Sequence, residues 1–382
     1  MKIFVLKIGI AILNGIYCIL KLFPTKQNKI TFISRQSNQV SLDFKMLATK
    51  LKEKNPNLQI VFLCKTLGKS IKKEIAYSFH MIRQMYHIAT SKVVILDSYC
   101  IPICILKHKK SLVVFQIWHA LGSLKKFGYS TLDKKDGRDS KIAKTMKMHK
   151  NYTYILTSSN TSKKFFQEAF GAEEKQMIIG NLPRVDFLKS NKIRQKMIKR
   201  FQKYYPETQN GKKNILYCPT KRKDTAIPIE EMASQISFDK YNFIVKLHEG
   251  KEIVFVKDKK IIRGRFFTGL ELLHIADYII TDYSAIVYEA AITKKPIYFY
   301  IYDYDTYQID RGTYTPYLEE MPGPISKNFS EIMQAIQENK FNVEKIEKFC
   351  NKYIENLDKN ATEDLSNFII ATMKGEKENN GK

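Results

Sequence analysis

The sequence predicts an α/β protein with two domains, each built on a parallel sheet. Short apolar segments rich in β-branched residues alternate with amphipathic segments, and the alternation restarts after a polar stretch at 206–213. The 382 residues suffice for two ordinary domains, and a hydrophobic content of 44% allows each to bury a core. Two such domains in tandem imply a cleft, which is where we expect the chemistry.

Strands and helices follow from hydrophobic periodicity. The predicted strands are 29–34, 59–64, 92–97, 112–117, 152–157, 214–218, 242–247, 261–265, 278–281 and 297–302. The predicted helices are 43–54, 72–89, a basic helix from 189 to 205, 285–292 and helical segments within 330–374. The predicted divisions are a first helix at 1–24, domains at 25–208 and 209–345, and C-terminal helices with a disordered tail at 346–382.

Residues 3–23 are strongly apolar and carry Lys7, Asn14 and Lys21 at intervals of seven. This spacing puts the three polar side chains on one face of a helix, with isoleucine, leucine, valine and phenylalanine over most of the rest. The pattern predicts an amphipathic helix lying in a membrane interface with its polar stripe outward. A buried first helix of the fold and a true membrane span remain alternatives. No small-residue cleavage site follows, so a secreted product is not expected.

The formal charge of +26 indicates an anionic partner, such as a nucleic acid, anionic lipid headgroups or a phosphorylated substrate. The charge is spread over most of the chain without a nucleic-acid-binding signature, so no nucleic-acid partner is expected. The six cysteines contain no CxxC pair and predict buried free thiols in a reducing compartment. The histidines do not cluster with cysteines at zinc-ligand spacing.

The segment from Tyr278 onward predicts a strand–turn–helix–strand unit with Asp282 and Ser284 at the turn. Ligands bind at the carboxyl ends of parallel strands, and a helix N-terminus there suits a phosphate group. Ser284 is predicted as the N-cap, and Glu289 lies inside the helix. The alternative is that Asp282 and Ser284 only cap the helix.

A second cluster follows the strand at 112–117 and contains Trp118, His119, Lys125 and Lys126 among glycines. A histidine where a strand enters a loop can serve as a general base near neutral pH, and the lysines can hold phosphate. A structural histidine beneath a loop is the alternative. The polar loop after the first strand, which includes Arg35 and Ser37, is expected on the same side, and Asp97 is a lesser candidate.

Two further strand ends carry polar groups suited to phosphate. Thr220, Lys221 and Arg222 follow one strand and form a plausible diphosphate clamp, with a solvated basic loop as the alternative. His248 follows Lys246 at the end of another strand. Arg311 can neutralise a phosphate or pair with Asp310, and the sequence Asp303-Tyr304-Asp305 is too short a match to predict a metal site.

Together these motifs resemble the CDP-glycerol glycerophosphotransferase family of teichoic acid synthesis, in its shorter primase-like form. The resemblance covers 29–325 and rests on Trp118 to Gly128, Cys218 to Arg222, Lys246 to His248, Thr281 to Ala285, Lys295 to Gly312, and Met321 to Ile325. It implies a GT-B fold, in which two Rossmann-like domains face a cleft, with the apolar first helix on the membrane. It also implies a peripheral enzyme at the cytoplasmic face of the cell membrane that needs no cofactor.

The resemblance implies transfer of a polyol phosphate from CDP-glycerol or CDP-ribitol to an undecaprenyl-diphosphate-linked saccharide, with release of CMP and His119 as the base. The C-terminal domain would bind the donor and the N-terminal domain the acceptor. Residues expected at the donor are Thr220, Lys221, Arg222, Lys246, His248, Asp282, Ser284, Glu289 and Arg311. Residues expected at the acceptor or its phosphates are Arg35, Ser37, Asp97, Lys125 and Lys126. No metal is expected.

The family often has WHG, KLHP and DYSS where this chain has Ala120, Glu249 and Ala285 as the last residue of each motif. The two alanines are small changes, whereas Glu249 alters the loop that carries His248. The chain does not show the large extra N-terminal region of polymerase-type members, which favours the addition of one or a few units. The alternatives are a glycosyltransferase that uses a nucleotide sugar and a non-catalytic membrane or nucleic-acid binding protein.

Overall fold

The computed structural model describes residues 2–68, 70–135, 137–222, 226–247, 260–310 and 312–375. The chain divides into two compact units. The first contains 1–120, 126–183 and 355–382, and the second contains 121–125 and 184–354. The predicted boundary after residue 208 therefore falls within the second unit, and the C-terminal helix belongs to the first.

The first unit contains a six-stranded sheet in the order β2-β1-β3-β4-β5-β6, and every neighbouring pair is parallel. The strands are β1 (Lys26–Ser34), β2 (Gln59–Cys64), β3 (Ser91–Leu96), β4 (Val113–Gln116), β5 (Tyr154–Thr157) and β6 (Met177–Ile179). The strand order reverses between β1 and β3, so a crevice is expected beyond the carboxyl ends of these two strands.

The second unit contains another six-stranded parallel sheet, in the order β12-β11-β10-β7-β8-β9. The strands are β7 (Lys213–Tyr217), β8 (Tyr241–Val245), β9 (Ile261–Arg263), β10 (Tyr278–Thr281), β11 (Ile297–Tyr300) and β12 (Ile325–Ser326). Counted from β7, this is the Rossmann order 3-2-1-4-5-6, whose reversal lies between β7 and β10.

Helices connect the strands in both units. They are α1 (Lys2–Leu20), α2 (Leu42–Lys54), α3 (Ile71–Thr90), α4 (Ile101–Ile105), α5 (Ser140–Thr145), α6 (Asn160–Phe170), α7 (Arg184–Lys189), α8 (Asn191–Tyr204), α9 (Ile229–Ser234), α10 (Gly269–Ile275), α11 (Ile286–Ile292), α12 (Tyr304–Asp310), α13 (Tyr317–Glu320), α14 (Phe329–Gln337), α15 (Val343–Tyr353) and α16 (Ala361–Lys374). Short 3₁₀ turns occupy Gly128–Thr131, Glu174–Gln176 and Pro206–Thr208.

The strands are apolar because both faces of each sheet are covered by helices. All five residues of β8 and all four residues of β11 are buried. Continuous burial is typical of parallel sheets, where alternation between polar and apolar residues is lost. Most predicted strands agree with the structure to within a few residues, whereas β6 and β12 have only three and two residues and were not predicted.

Helix α1 packs against the first unit along one face. Tyr17 is buried and its hydroxyl lies 2.9 Å from Nδ1 of His108. Asn14 donates from Nδ2 to the Ile105 carbonyl at 3.4 Å, and its Oδ1 accepts from the Lys107 amide at 3.2 Å. The prediction of an outward polar stripe is therefore wrong at Asn14, whose side chain bonds to the protein body. The opposite side of α1 exposes apolar residues: Phe4, Val5, Ile8, Ile12 and Ile19.

The six cysteines are free, and four of them are buried: Cys100, Cys104, Cys218 and Cys350. Cys64 is partly buried and Cys18 is exposed on α1, so the prediction of buried thiols is wrong for Cys18. The expected disordered tail lies outside the described residues from 376 onward. Gly375 ends α16 in the left-handed region, with φ of 80°.

Candidate active site

The first unit collects polar side chains where β1, β3 and β4 end, at the reversal of strand order. Ser34 ends β1, Leu96 ends β3 and Gln116 ends β4. His119 follows β4 after two residues and is partly buried. The expectation that the loop after the first strand lies on the same side as His119 is met by the Gln36 side chain, whose amide nitrogen lies 3.3 Å from His119 Nδ1.

The proton of the neutral His119 ring is located by one short contact. Nδ1 lies 2.8 Å from the carbonyl oxygen of Asp97, which can only accept a hydrogen bond. Nδ1 must therefore carry the proton, and in the neutral ring Nε2 carries the lone pair. The Gln36 amide is farther away and must present its oxygen if it shares the same proton. His119 thus has the tautomer that a base acting through Nε2 requires.

The backbone before His119 is strained. Trp118 has φ of 58°, a left-handed conformation that is unfavourable for a bulky side chain. Gln116, which is fully buried, accepts from the Trp118 amide at 3.0 Å and donates to the Ser98 carbonyl at 3.1 Å. The Trp118 ring stacks on Phe127, with centroids 5.0 Å apart. These contacts hold a turn that costs energy locally, which is typical of functional sites.

Three of the other residues expected in the first unit follow β1 or β3. The Arg35 amide donates to Ser98 Oγ at 3.0 Å, and its guanidinium donates to the Tyr99 carbonyl at 3.2 Å. Ser37 Oγ accepts from the Gln39 amide at 3.0 Å, so it shapes the loop. Asp97 is buried and contributes its backbone carbonyl to His119. Lys126 belongs to the same unit and is partly buried.

The second unit has its own polar cluster at the reversal between β7 and β10. Asp282 follows β10 and is fully buried, and both of its carboxylate oxygens accept from the Thr220 amide, at 2.7 and 3.0 Å. The Tyr317 hydroxyl donates to the Asp282 carbonyl at 3.0 Å. Asp282 therefore fixes the loop after β7 to the loop after β10.

Arg222 joins these loops to the end of β11. Its guanidinium pairs with Asp282 at 2.9 Å and forms two hydrogen bonds with Asp303, at 2.6 and 3.0 Å. Burial works against the charged form, but the two carboxylates outweigh it and raise the pKa of Arg222. Only 5% of the side chain is exposed, and its guanidinium lies 5.2 Å from the Tyr283 ring. Arg222 therefore braces the site through two carboxylates.

Three lysines lie at or near this cluster. Lys125, in the segment 121–125 of the second unit, donates to Thr220 Oγ1 at 3.2 Å. It also forms an isolated antiparallel bridge with Thr313. Lys246 follows β8 and donates to the Gly264 carbonyl at 3.2 Å, and Lys221 is exposed. Lys125 was expected with the acceptor residues but packs with the residues expected to bind the donor.

Helix α11 begins at Ile286 and has Ala285 as its N-cap without a side-chain cap. The prediction of Ser284 as the N-cap is therefore wrong, although its Oγ lies 3.5 Å from the Ile286 amide. Glu289 is buried and pairs with Arg184 of α7 at 2.7 Å. This ion pair ties α11 to α7. His248 and Arg311 lie outside the described residues.

Sequence reasoning missed the residues that orient the site. Gln116 and Ser98 support His119, while Asp303, Tyr283 and Tyr307 surround Arg222. The Tyr283 and Tyr307 rings stack with centroids 3.8 Å apart. The signal for Gln116 was a glutamine at the end of an apolar strand, where a buried amide needs partners.

Known proteins resemble this chain over most of its length. A teichoic acid ribitol-phosphate primase of Bacillus spizizenii is 31% identical, covering 98% of this chain and 99% of the relative. A teichoic acid glycerol-phosphate primase of Bacillus subtilis is 32% identical over 76% of each chain. The solved structure of the wall teichoic acid polymerase TagF superposes with a TM-score of 0.76 at 18% identity, covering 98% of each chain.

The likeness to TagF confirms the predicted GT-B-like fold class of two parallel sheets. The sequence profile for CDP-glycerol:poly(glycerophosphate) glycerophosphotransferases matches residues 16–371. The chain belongs to the CDP-glycerol:poly(glycerophosphate) glycerophosphotransferase family.

Proposed function

We propose that this enzyme transfers a polyol phosphate from CDP-glycerol or CDP-ribitol to a lipid-linked saccharide and releases CMP. The observation that carries the proposal is the pair of polar clusters, one at the strand-order reversal of each parallel sheet, in a chain of this family. One cluster contains a histidine with a fixed tautomer, and the other contains lysines and a threonine beside a braced loop.

The reaction requires one bond to form and one to break at the phosphorus that bears the polyol. The acceptor hydroxyl oxygen attacks this phosphorus, and the bond to the bridging oxygen of the diphosphate breaks, which leaves CMP. The proton of the hydroxyl passes to His119 Nε2. The Asp97 carbonyl supports this role because it accepts from Nδ1–H and stabilises the imidazolium that forms.

In the second unit we assign Thr220, Lys125, Lys221 and Lys246 to the donor diphosphate. The Thr220 hydroxyl and the ammonium groups can neutralise charge on the leaving CMP, and positioning with neutralisation is most of what phosphoryl transfer needs. Asp282 and Arg222 would not contact the donor but would position the loops that do, because their charged groups bond to each other and to Thr220. Ser284, His248 and Arg311 stay in the proposal as donor contacts, whereas Glu289 would support α11 through Arg184.

In the first unit we assign Arg35 and Lys126 to the phosphates of the acceptor, which reaches the enzyme on a lipid carrier. Ser37 would shape the same loop. The exposed apolar side of α1 supports a peripheral position at the cytoplasmic face of the membrane. A helix of this length and hydropathy is also found as a membrane span or a signal sequence, but Asn14 and Tyr17 bond to the protein body.

The sequence also allows an alternative activity, that of a glycosyltransferase that uses a nucleotide sugar. It shares the fold class, and its donor is also a nucleoside diphosphate ester. The family match favours the polyol phosphate, and donor choice in a direct assay separates the two activities.

The test is CMP release by purified protein given CDP-glycerol or CDP-ribitol, with and without a lipid-linked disaccharide in detergent. Acceptor-dependent release is expected with one of the two donors. His119→Ala should lower kcat by about 10²–10⁴-fold, the usual contribution of a general base. His80→Ala, a partly buried histidine on α3, is the control and should keep normal turnover. The proposal fails if neither CDP-polyol is consumed and a nucleotide sugar is, or if His119→Ala turns over normally.

A further inference from the structure

The guanidinium groups of Arg35 and Arg138 approach the same aromatic ring in the first unit. The central carbon of the Arg35 guanidinium lies 5.7 Å from the centroid of the Tyr99 ring, and that of Arg138 lies 5.2 Å from it. The Tyr99 ring attracts each cation, but the two cations repel each other. An anion bound between them would offset this repulsion, so the pair has the electrostatics of an anion-binding site.

Neither of these two arginines has a carboxylate partner among the described residues. Asp139, which follows Arg138, caps α5 by accepting from the Ile142 amide at 2.8 Å. Three other arginines of the chain each pair with a carboxylate: Arg184, Arg200 and Arg222. Those three cations are neutralised within the fold, whereas the charges of Arg35 and Arg138 remain available to a ligand.

Hydrogen bonds position the groups around Tyr99. The Arg35 guanidinium donates to the Tyr99 carbonyl at 3.2 Å, and the Tyr99 hydroxyl donates to the Met146 carbonyl at 3.4 Å. The Arg138 carbonyl accepts from the Asp133 amide at 2.9 Å, which holds its backbone, while its side chain is exposed. Arg35 is thus fixed and partly buried, and Arg138 presents a second guanidinium at the surface.

This arginine pair lies near His119 but not at it. The His149 ring links the two places, since its centroid lies 5.4 Å from that of Tyr99 and 6.4 Å from that of Trp118. Trp118 directly precedes His119, and their ring centroids are 4.2 Å apart. A group held by the arginines therefore lies apart from the hydroxyl that His119 would deprotonate.

The chemistry of the pair favours a diphosphate. A guanidinium binds the oxygens of one phosphate through two parallel hydrogen bonds, so two guanidinium groups suit two linked phosphates. The donor diphosphate is assigned to the second unit, whereas both arginines belong to the first. In a lipid-linked acceptor the saccharide separates the phosphates of the carrier from the reacting hydroxyl, which matches the separation of the pair from His119.

We propose that Arg35 and Arg138 together bind a diphosphate that joins the acceptor saccharide to its lipid. The pair would make the enzyme prefer a diphosphate acceptor to a monophosphate one. In the context of the proposed function, on which this assignment rests, Arg138 is a further acceptor-binding residue and Arg35 gains a defined ligand.

The test measures CMP release with two water-soluble acceptors that carry the same disaccharide, one on a short alkyl diphosphate and the other on the corresponding alkyl monophosphate. The native enzyme should have the lower KM for the diphosphate. Arg138→Ala should raise that KM about tenfold or more and remove most of the preference, while kcat and the donor KM stay close to native. Arg138→Lys keeps the charge but cannot bind a phosphate through two parallel hydrogen bonds, so its KM should lie between the two.

Arg83→Ala is the matched control, because it removes an exposed arginine from α3 of the same unit and should leave every KM unchanged. A native acceptor KM in Arg138→Ala, or an equal rise for both acceptors, overturns the inference. If the donor KM rises instead, the pair binds the donor diphosphate and the inference is wrong.

Binding without a donor separates a failure of this site from a failure of the proposed function. Calorimetric titration with the alkyl-diphosphate disaccharide needs no turnover. If neither CDP-polyol is consumed but Arg138→Ala binds this probe much more weakly than the native protein, the proposed reaction fails and the site stands. If CMP is released normally and Arg138→Ala binds the probe like the native protein, the site fails and the reaction stands. No binding of the probe by the native protein would also overturn the inference.

Discussion

Gln116 should control how well His119 works, although it is fully buried and is not expected to touch a substrate. Replacement by methionine keeps the length of the side chain but removes its hydrogen bonds to the Trp118 amide and the Ser98 carbonyl. An unpaired buried polar group costs about 1–3 kcal/mol. With two such groups and some local relaxation, we expect the free energy of unfolding to fall by about 2–4 kcal/mol.

The same substitution should lower kcat. The left-handed conformation of Trp118 costs roughly 1–2 kcal/mol, and without its bond to Gln116 the turn can relax and carry His119 away from Asp97. A displaced base loses part of the ~10²–10⁴-fold that general base catalysis provides. We expect kcat to fall by about 10–100-fold, which is less than the loss in His119→Ala.

Steady-state CMP release gives kcat and the KM for the CDP-polyol, and urea unfolding gives the stability. The donor KM should stay close to that of the native enzyme, because the residues proposed to bind the donor lie in the second unit. Gln36→Met is the matched control, since Gln36 is exposed and makes only the longer contact with His119. The reasoning is refuted if Gln116→Met has native kcat, or if both glutamine variants lose activity equally.

Two further predictions concern stability. Arg222→Leu should lower the free energy of unfolding by about 3–5 kcal/mol, because the carboxylates of Asp282 and Asp303 would remain in or near the interior without their partner. Urea unfolding measures this loss, and adding Asp303→Asn to the variant should recover part of it. A loss below about 1 kcal/mol would contradict the role assigned to Arg222. Burial lowers the pKa of His149 to about 3, so below pH 6.5 this histidine binds a proton in the unfolded chain but not in the folded chain. It should therefore contribute about 2 kcal/mol to the loss of stability between pH 7.5 and 5. Burial also lowers the pKa of His87 and His274 to about 4, so His149→Asn should reduce the slope in urea unfolding followed by Trp118 fluorescence without removing it, and an unchanged slope would contradict the prediction.

The fold class could be predicted because buried parallel strands appear in the sequence as short apolar segments between helical segments. β8 and β11 are buried along their whole length, and their predicted positions differ from the structure by two residues or fewer at each end. The two shortest strands could not be predicted, because two or three residues carry no periodicity. The extent of the units could not be predicted either, because the C-terminal helix and the segment 121–125 are assigned by tertiary packing.

The convergence of polar residues at the strand ends was predictable from the sequence, whereas the partners of each charged group were not. Polar residues after parallel strands converge at one edge whatever their chemistry, and this placed Thr220 and Asp282 together. The sequence does not show how many ion pairs and hydrogen bonds a charged side chain makes in the folded protein. Arg222 resembles a phosphate ligand in the sequence, yet it is shared between two carboxylates in the structure. The left-handed backbone conformation of Trp118 could not be predicted either, because tryptophan rarely adopts a positive φ.

The five residues 121–125 have a practical consequence for engineering this enzyme. They follow His119 and Ala120 directly, yet they belong to the second unit. There Gly122 packs against the Tyr288 ring so closely that an added Cβ atom would lie 2.6 Å from it. A chimera that takes its second unit from a relative must therefore carry this short segment as well as 184–354. Four junctions are needed, at 120/121, 125/126, 183/184 and 354/355. A single cut after residue 208 would combine a foreign Tyr288 and Thr220 with the native Gly122 and Lys125, the residues that these two side chains contact.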